Sequence, residues 1–378
     1  FTSAYLAHGL MNIMDRNFFG KTGVTTDKPV SPYLTWEKTN QYDLGLDMDM
    51  FNYRLNMKLD YYYKYTSSLI YDIPIPGSLY TFGAQVENAM EISNEGLELE
   101  LQADILRESA VSWRMKFNMA RNWNRFEKSY SGKDVVDGDG TLLVAGRPLN
   151  GLYVWAHRGY YNSDAEVPRL YKIDGQEIYF NGVATDGISG AVGNYRLLDL
   201  DGDGNPDSYY AGSPLPLAHG GWVNELMWKN FDLNIFFAWS YGNDVLNANR
   251  LVFESGWRSQ TNQLASYADR WSPENPASNI PRVNAVGREE YSSRVIEDGS
   301  FLRLKTVSLG YTLPSRSLRK AGISQMRVYV SADNIWTLTG YSGPDPEVST
   351  RNSVLTPGFD WSAYPRAFGF TAGVNLTF

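Results

Sequence analysis

The chain has 378 residues, 14% of them aromatic, an excess that favours strands over helices. Its net charge of −8 leaves no basic footprint for nucleic acid, and zero cysteines exclude a disulfide framework and thiol chemistry. Mean hydropathy is −0.37 and no stretch approaches the ~18 uninterrupted apolar residues of a membrane helix, a test that membrane β-strands escape because lipid-facing and lumen-facing side chains alternate.

The chain opens on Phe1-Thr2-Ser3, without an initiator Met, a basic stretch or an apolar leader, so a signal peptide or a whole front portion is expected to be missing. Residues 1–41 read as the end of a preceding element, with an outward loop leading into Trp36-Glu37. Period-two alternation, the mark of a strand with two unlike faces, begins near 42–50 with Leu44, Leu46, Met48 and Met50 against Gly45, Asp47 and Asp49. It resumes as Leu55, Met57, Leu59, Tyr61 and Tyr63 against Asn56, Lys58, Asp60 and Tyr62. Leu97 to Asp104 and Val111 to Met119 follow, then Phe231 to Trp239, Leu302 to Tyr311 and Val328 to Ala332. The last run is Phe368, Phe370, Ala372, Val374, Leu376 and Phe378.

Several runs exceed the ordinary strand length of about 5–6 residues and reach the about 9–11 that a tilted strand needs to cross a bilayer. The links between them come in two sizes. Residues 51–53, 105–110, 230 and 314–324 are short, whereas 66–91, 124–220, 242–299 and 334–366 are long. Short turns on one side and long loops on the other are the asymmetry of bacterial outer-membrane barrels. A soluble sandwich alternates as well, but has no reason to segregate its loops. With Phe378 at the periplasmic edge, the short turns are periplasmic and the long loops extracellular. About nine strands are counted, an odd number for a single-chain bacterial barrel. The expectation is therefore an all-β chain, the C-terminal portion of a transmembrane antiparallel β-barrel. Residues 1–378 would form that portion, with plug and N-terminal domains absent from this chain.

Several stretches, in order along nearly the whole chain, resemble SusC-like TonB-dependent outer-membrane transporters of Bacteroidetes. They are Trp36-Glu37 through Leu44-Gly45-Leu46, Asn94-Glu95-Gly96-Leu97-Glu98, Gly146-Arg147-Pro148-Leu149, Gly159-Tyr160-Tyr161, Asp199-Leu200-Asp201-Gly202-Asp203-Gly204 and Tyr241-Gly242-Asn243-Asp244. Arg270-Trp271-Ser272-Pro273, Ser300 to Lys305, Ser331-Ala332-Asp333-Asn334 and Tyr364-Pro365-Arg366 complete the series. The resemblance implies a 22-stranded barrel in the Gram-negative outer membrane, an N-terminal plug and a TonB-contacting segment. It also implies a SusD-like lipoprotein lid, outer-membrane lipid around the barrel, and a dimer of such transporter–lipoprotein pairs.

Local chemistry is sparse. Asp199, Asp201, Asp203, Asn205 and Asp207 stand at alternate positions with Gly204 sixth, the way a Ca²⁺ loop presents oxygen ligands, though Tyr210 replaces the closing Glu. An Asx-rich turn that satisfies its own backbone explains the same residues. In either case the role is to stiffen a surface loop. Asp137-Gly138-Asp139-Gly140 reads as a hairpin tip, and His8, His157 and His219 lack metal spacing. Glu98 and Glu100 share one strand face and read as lumen lining. Nothing resembles a catalytic motif, so no enzyme is expected. Trp113, Trp123, Trp228, Trp239, Tyr61 and Tyr63 lie on or beside strands, where lipid or girdle contact is expected. Trp155, Tyr160, Tyr161, Trp257 and Trp361 lie in the long loops and are the candidate substrate contacts. Tyr160 and Trp361 lead because their segments fall near the family's inward-facing loops.

The expected function is TonB-dependent import of oligomeric nutrients, oligosaccharide or peptide, together with a SusD-like lipoprotein. The alternatives are a barrel reused as an assembly partner in an envelope complex, and a calcium-stabilised soluble β-rich adhesin.

Overall fold

The computed structural model describes residues 11–26, 31–75, 84–107, 109–136, 142–166, 169–171, 177–179, 192–202, 206–256, 258, 260–285, 287–288, 290–314, 318, 322–351 and 356–378. Nine long strands form one antiparallel sheet. They are β1 (Lys38–Met50), β2 (Leu55–Pro74), β3 (Ala84–Leu106), β4 (Val111–Lys128) and β5 (Ala218–Trp228). The others are β6 (Phe231–Tyr241), β7 (Phe301–Thr312), β8 (Gln325–Thr339) and β9 (Gly369–Thr377). Each pairs with its neighbours in sequence, so the order across the sheet is that of the chain, with β1 and β9 at the two ends.

The register explains the alternation. Trp113, Leu226, Leu233, Leu309, Val330 and Ala372 are successive partners across six strands, from β4 to β9. One residue away, Arg114, Glu225, Asn234, Ser308, Ser331 and Thr371 form the adjacent row on the other face. Among the described residues no layer covers the apolar face: Leu309 is 43% exposed and Phe370 67%. A soluble sandwich buries that face in its core, which the described residues do not do. A lipid-facing band is what such a surface suits.

Buried side chains gather in the connections. The chain divides into two compact units, the first being 1–46, 59–98 and 122–149, the second 47–58, 99–121 and 150–378. In the first, Val86, Met90, Phe126, Val135 and Leu143 are buried. In the second, one core joins Leu152, Val154, Leu246, Leu251, Val295 and Phe359, and another Tyr160, Tyr195, Leu197, Trp271 and Ala285.

The strands outrun the expected boundaries. Most of 66–91, read as a loop, is strand, since β2 continues to Pro74 and β3 begins at Ala84. Likewise β4 reaches Lys128, β8 reaches Thr339 and β1 starts at Lys38. Polar residues such as Thr66, Ser67, Glu87 and Asn88 interrupt the alternation there, although Val86, Met90 and Phe126 of the same extensions are buried. The long connections also carry small sheets of their own. Leu152–Trp155 pairs with Ser208–Gly212, His157–Tyr160 with Tyr195–Leu197, and Asp244–Asn247 with both Ile296–Asp298 and Phe359–Asp360.

Candidate functional site

The connections within the second unit form a packed body, and alternation within its short strands decides which side chains meet. In Leu152–Trp155, Leu152 and Val154 enter the first core while Trp155 turns to the second. There the Tyr160 and Tyr195 rings meet edge to face at 5.3 Å, with the His157 ring 4.7 Å from Tyr195. Burial first, and the Arg294 guanidinium second, push the His157 imidazole down to about 4. At neutral pH His157 is therefore an uncharged packing residue. Trp271 closes the cluster by donating its indole N–H to Asn162 Oδ1 at 3.1 Å.

A cavity of about 670 Å³ lies within this body, lined by Asn247, Asn249, Arg250, Phe253, Glu254 and Ser342 among others. Its charges are internally matched. Arg250 Nε donates to Glu254 Oε2 at 2.7 Å and Nη1 to Glu297 Oε1 at 3.3 Å, while Arg294 Nη2 lies 3.6 Å from Glu254 Oε2. Burial raises the Glu254 pKa, but the Arg250 hydrogen bond and charge outweigh it and the net direction is down. Glu254 is thus a poor base towards the Ser266 hydroxyl, which donates to it at 2.7 Å. The cavity's guanidinium and carboxylate charges are balanced and Phe253, Leu264 and Pro344 line it as well, so the wall suits neither proton transfer nor capture of a strong ion.

A second buried network joins Tyr341, Asp345, Glu347, Asp360 and Arg366 of the last long connection with Arg303. Arg303, 2% exposed on β7, donates to Asp345 Oδ1 at 2.5 Å and lies 3.5 Å from Glu347, which also takes Arg366 at 2.8 Å. Tyr341 donates its hydroxyl to Asp360 at 2.5 Å.

The candidate aromatics do not converge. Tyr160 and Tyr161 are 4% and 1% exposed, so their rings hold the body together. Trp155 is half-buried against the Tyr160 cluster, and Trp361 stacks on Phe359 with ring centres 6.4 Å apart, against the other core. Trp257, Asp203 and Asn205 lie outside the described residues, as do His8 and the tip 137–140. Carboxylate oxygens of Asp199, Asp201 and Asp207 come within 4.8 Å of one another. Two of these residues also serve the turn, Asp207 accepting the Leu200 and Asp201 N–H groups and Asp199 that of Gly202. The cavity residues Asn247, Asn249 and Arg250 carried no sequence signal, because Glu297, Ser342 and Ser362, which they bond, are remote in the chain.

A family model described as TonB dependent receptor-like, beta-barrel matches residues 7–209. TonB-dependent receptor P3 of Formosa agariphila is 33% identical over 94% of this chain and 36% of its own length. TonB-dependent receptor SusC of Bacteroides thetaiotaomicron is 27% identical over 95% of this chain and 34% of its own. The chain thus spans about a third of the length of the curated relatives it matches. A solved structure of the RagAB peptide transporter superposes with a TM-score of 0.78 at 24% identity, covering 99% of this chain and 39% of that one, a likeness of fold.

Proposed function

The chain belongs to the TonB-dependent receptor family through its β-barrel, in the SusC-like group, and from that premise we propose that it is part of an outer-membrane importer of oligomeric nutrients. The nine strands would supply barrel wall, and the body formed by the long connections would receive cargo beneath a SusD-like lipoprotein. A TonB-dependent pull on a plug elsewhere in the polypeptide would then open the path, so this stretch contributes wall and receptor rather than the moving part.

The observation that carries this reading is the uncovered apolar row from Trp113 to Ala372 beside its polar counterpart. Such a surface needs hydrocarbon on one side and water on the other. The charge-balanced cavity, with Phe253, Leu264 and Pro344 beside its polar groups, is compatible with a weakly charged cargo, either oligosaccharide or peptide. A hard cation such as Ca²⁺ at Asp199, Asp201 and Asp207 belongs to the same proposal, as a stiffener of the turn. The test is deletion of the gene, followed by growth of the host on oligosaccharide or on peptide as limiting nutrient. Loss of growth on one of them, restored by the full-length gene, supports import. Unchanged growth and unchanged uptake of labelled oligomers would overturn it.

A further inference from the structure

Adjacent strands lie about 4.8 Å apart, so a side chain touches the next strand but one only when nothing stands on the strand between. Glycines on the polar face provide that opening twice. Tyr62 of β2 passes over Gly96 of β3 and donates its hydroxyl to Asn122 Oδ1 of β4 at 2.9 Å. A Cβ on Gly96 would lie 2.4 Å from the Tyr62 ring. Arg327 of β8 passes over Gly310 of β7 to Asp232 of β6, with Nε 2.9 Å from Oδ1 and Nη2 2.5 Å from Oδ2. A Cβ on Gly310 would lie 2.3 Å from that Nη2. Each is a rung across three strands, locked by the glycine at its centre.

The same arrangement recurs where the sheet ends. Tyr329 of β8 is paired with Gly373 of β9, and a Cβ on Gly373 would lie 2.5 Å from the Tyr329 ring and hydroxyl. Tyr329 is half-buried, and its hydroxyl has no hydrogen-bond partner among the described residues. It is aimed across β9, whose far edge pairs with no described strand. An open edge cannot persist in hydrocarbon, because its backbone groups would have neither water nor a partner. At the opposite end Asp60 of β2 lies over Gly45 of β1 in the same manner, its Oδ1 2.6 Å from where a Cβ would stand.

We propose that the strand seated on the open edge of β9, from elsewhere in the full-length polypeptide, carries a carboxamide or carboxylate opposite Gly373. This group accepts the Tyr329 hydroxyl and completes a third rung at the barrel seam. The proposal rests on the barrel reading above and adds a specific acceptor to it. A carboxamide or carboxylate fits because the phenol is a neutral donor and its counterpart Tyr62 uses Asn122 in this way.

The test uses the full-length protein in detergent. Migration on gels before and after boiling reports whether a barrel has formed, and the unfolding rate reports its strength. Tyr329→Phe should unfold about fivefold faster than wild type, the weight of one hydrogen bond, as should the control Tyr62→Phe. Cysteines at Thr371 and Asn375 identify the neighbouring strand by disulfide trapping. Alanine at one carboxamide or carboxylate on its polar face should then have no added effect in Tyr329→Phe. A heat-modifiable wild type whose Tyr329→Phe variant unfolds at the same rate, or in which no such residue is coupled, overturns the rung and leaves the barrel. A wild type without heat-modifiable migration overturns the barrel, and the rung with it.

Discussion

Glu37 accepts the backbone N–H of Ile70 at 3.0 Å, two residues from Ser68 of β2, whose φ is +58°. Asn88 bonds Ser68 itself: its Nδ2 donates to the Ser68 carbonyl at 2.7 Å and the Thr35 carbonyl at 2.8 Å while Oδ1 accepts the Thr35 N–H at 2.6 Å. One carboxamide thus pins the segment entering β1 to Ser68 of β2. Asn88→Ala should cost about 1–2 kcal/mol, because these groups are partly exposed and water replaces some of the bonds. Hydrogen exchange checks it: the amides of 34–36 should exchange faster, whereas Glu37→Ala should deprotect Ile70 and spare Thr35.

His157 gives the connection body a pH dependence of definite sign. An ordinary histidine titrates near 6.5, whereas burial and Arg294 hold this one down to about 4. As pH falls through 6.5 the unfolded chain takes up a proton that the folded body refuses until about 4. Stability is therefore lost across that window, by up to about 3 kcal/mol. Exchange protection of 152–160 measured at pH 7 and at pH 4.5 should show the loss, and His157→Gln should remove the difference.

The sheet was legible because its lipid and lumen faces differ in kind, and the rows at Leu309 and Ser308 alternate as the register requires. Strand ends were not legible, since polar runs such as Thr66-Ser67-Ser68 and Glu87-Asn88 break the alternation inside β2 and β3. The packing of the long-loop aromatics was not legible. Nothing local distinguishes a Tyr160 that packs on Tyr195 from one that faces cargo, because that depends on a partner 35 residues away. Arg303 and Arg366 lay in stretches that carried the family resemblance, yet their shared acids, Asp345 and Glu347, emerged only with the fold.

That acid pair defines a sharp test of the 340–368 connection. Arg303→Met leaves Asp345, 6% exposed, without its strongest counter-charge, and Arg366 at 3.8 Å replaces it poorly. The loss should be about 3–5 kcal/mol for an uncompensated buried charge. Adding Asp345→Asn should recover part of it, which a mere loss of packing would not allow. Limited proteolysis across 340–368 reads both variants.

Chelation should loosen the 199–207 turn. Three carboxylates within 4.8 Å of one another present oxygens that a hard cation would bridge. EDTA is expected to speed proteolytic cutting there several-fold, and added Ca²⁺ to reverse it in wild type but not in Asp199→Asn. Equal cutting with and without EDTA would mark the turn as self-satisfied by the Leu200, Asp201 and Gly202 N–H groups.

Leu309 and Ser308 are neighbours on β7 that face opposite ways, Leu309 between Leu233 and Val330, Ser308 between Asn234 and Ser331. An arginine at 309 would have to enter hydrocarbon, at about 2–4 kcal/mol near the bilayer midplane and less towards an interface. An arginine at 308 would meet water and the polar groups beside it, at little cost. Folding into lipid vesicles of the full-length protein should therefore be impaired by Leu309→Arg and spared by Ser308→Arg. The ordering discriminates between solvents, since in a water-soluble sheet the 43% exposed Leu309 would tolerate arginine as easily as its neighbour does. Equal behaviour of the two variants would remove the membrane from the account and the importer with it.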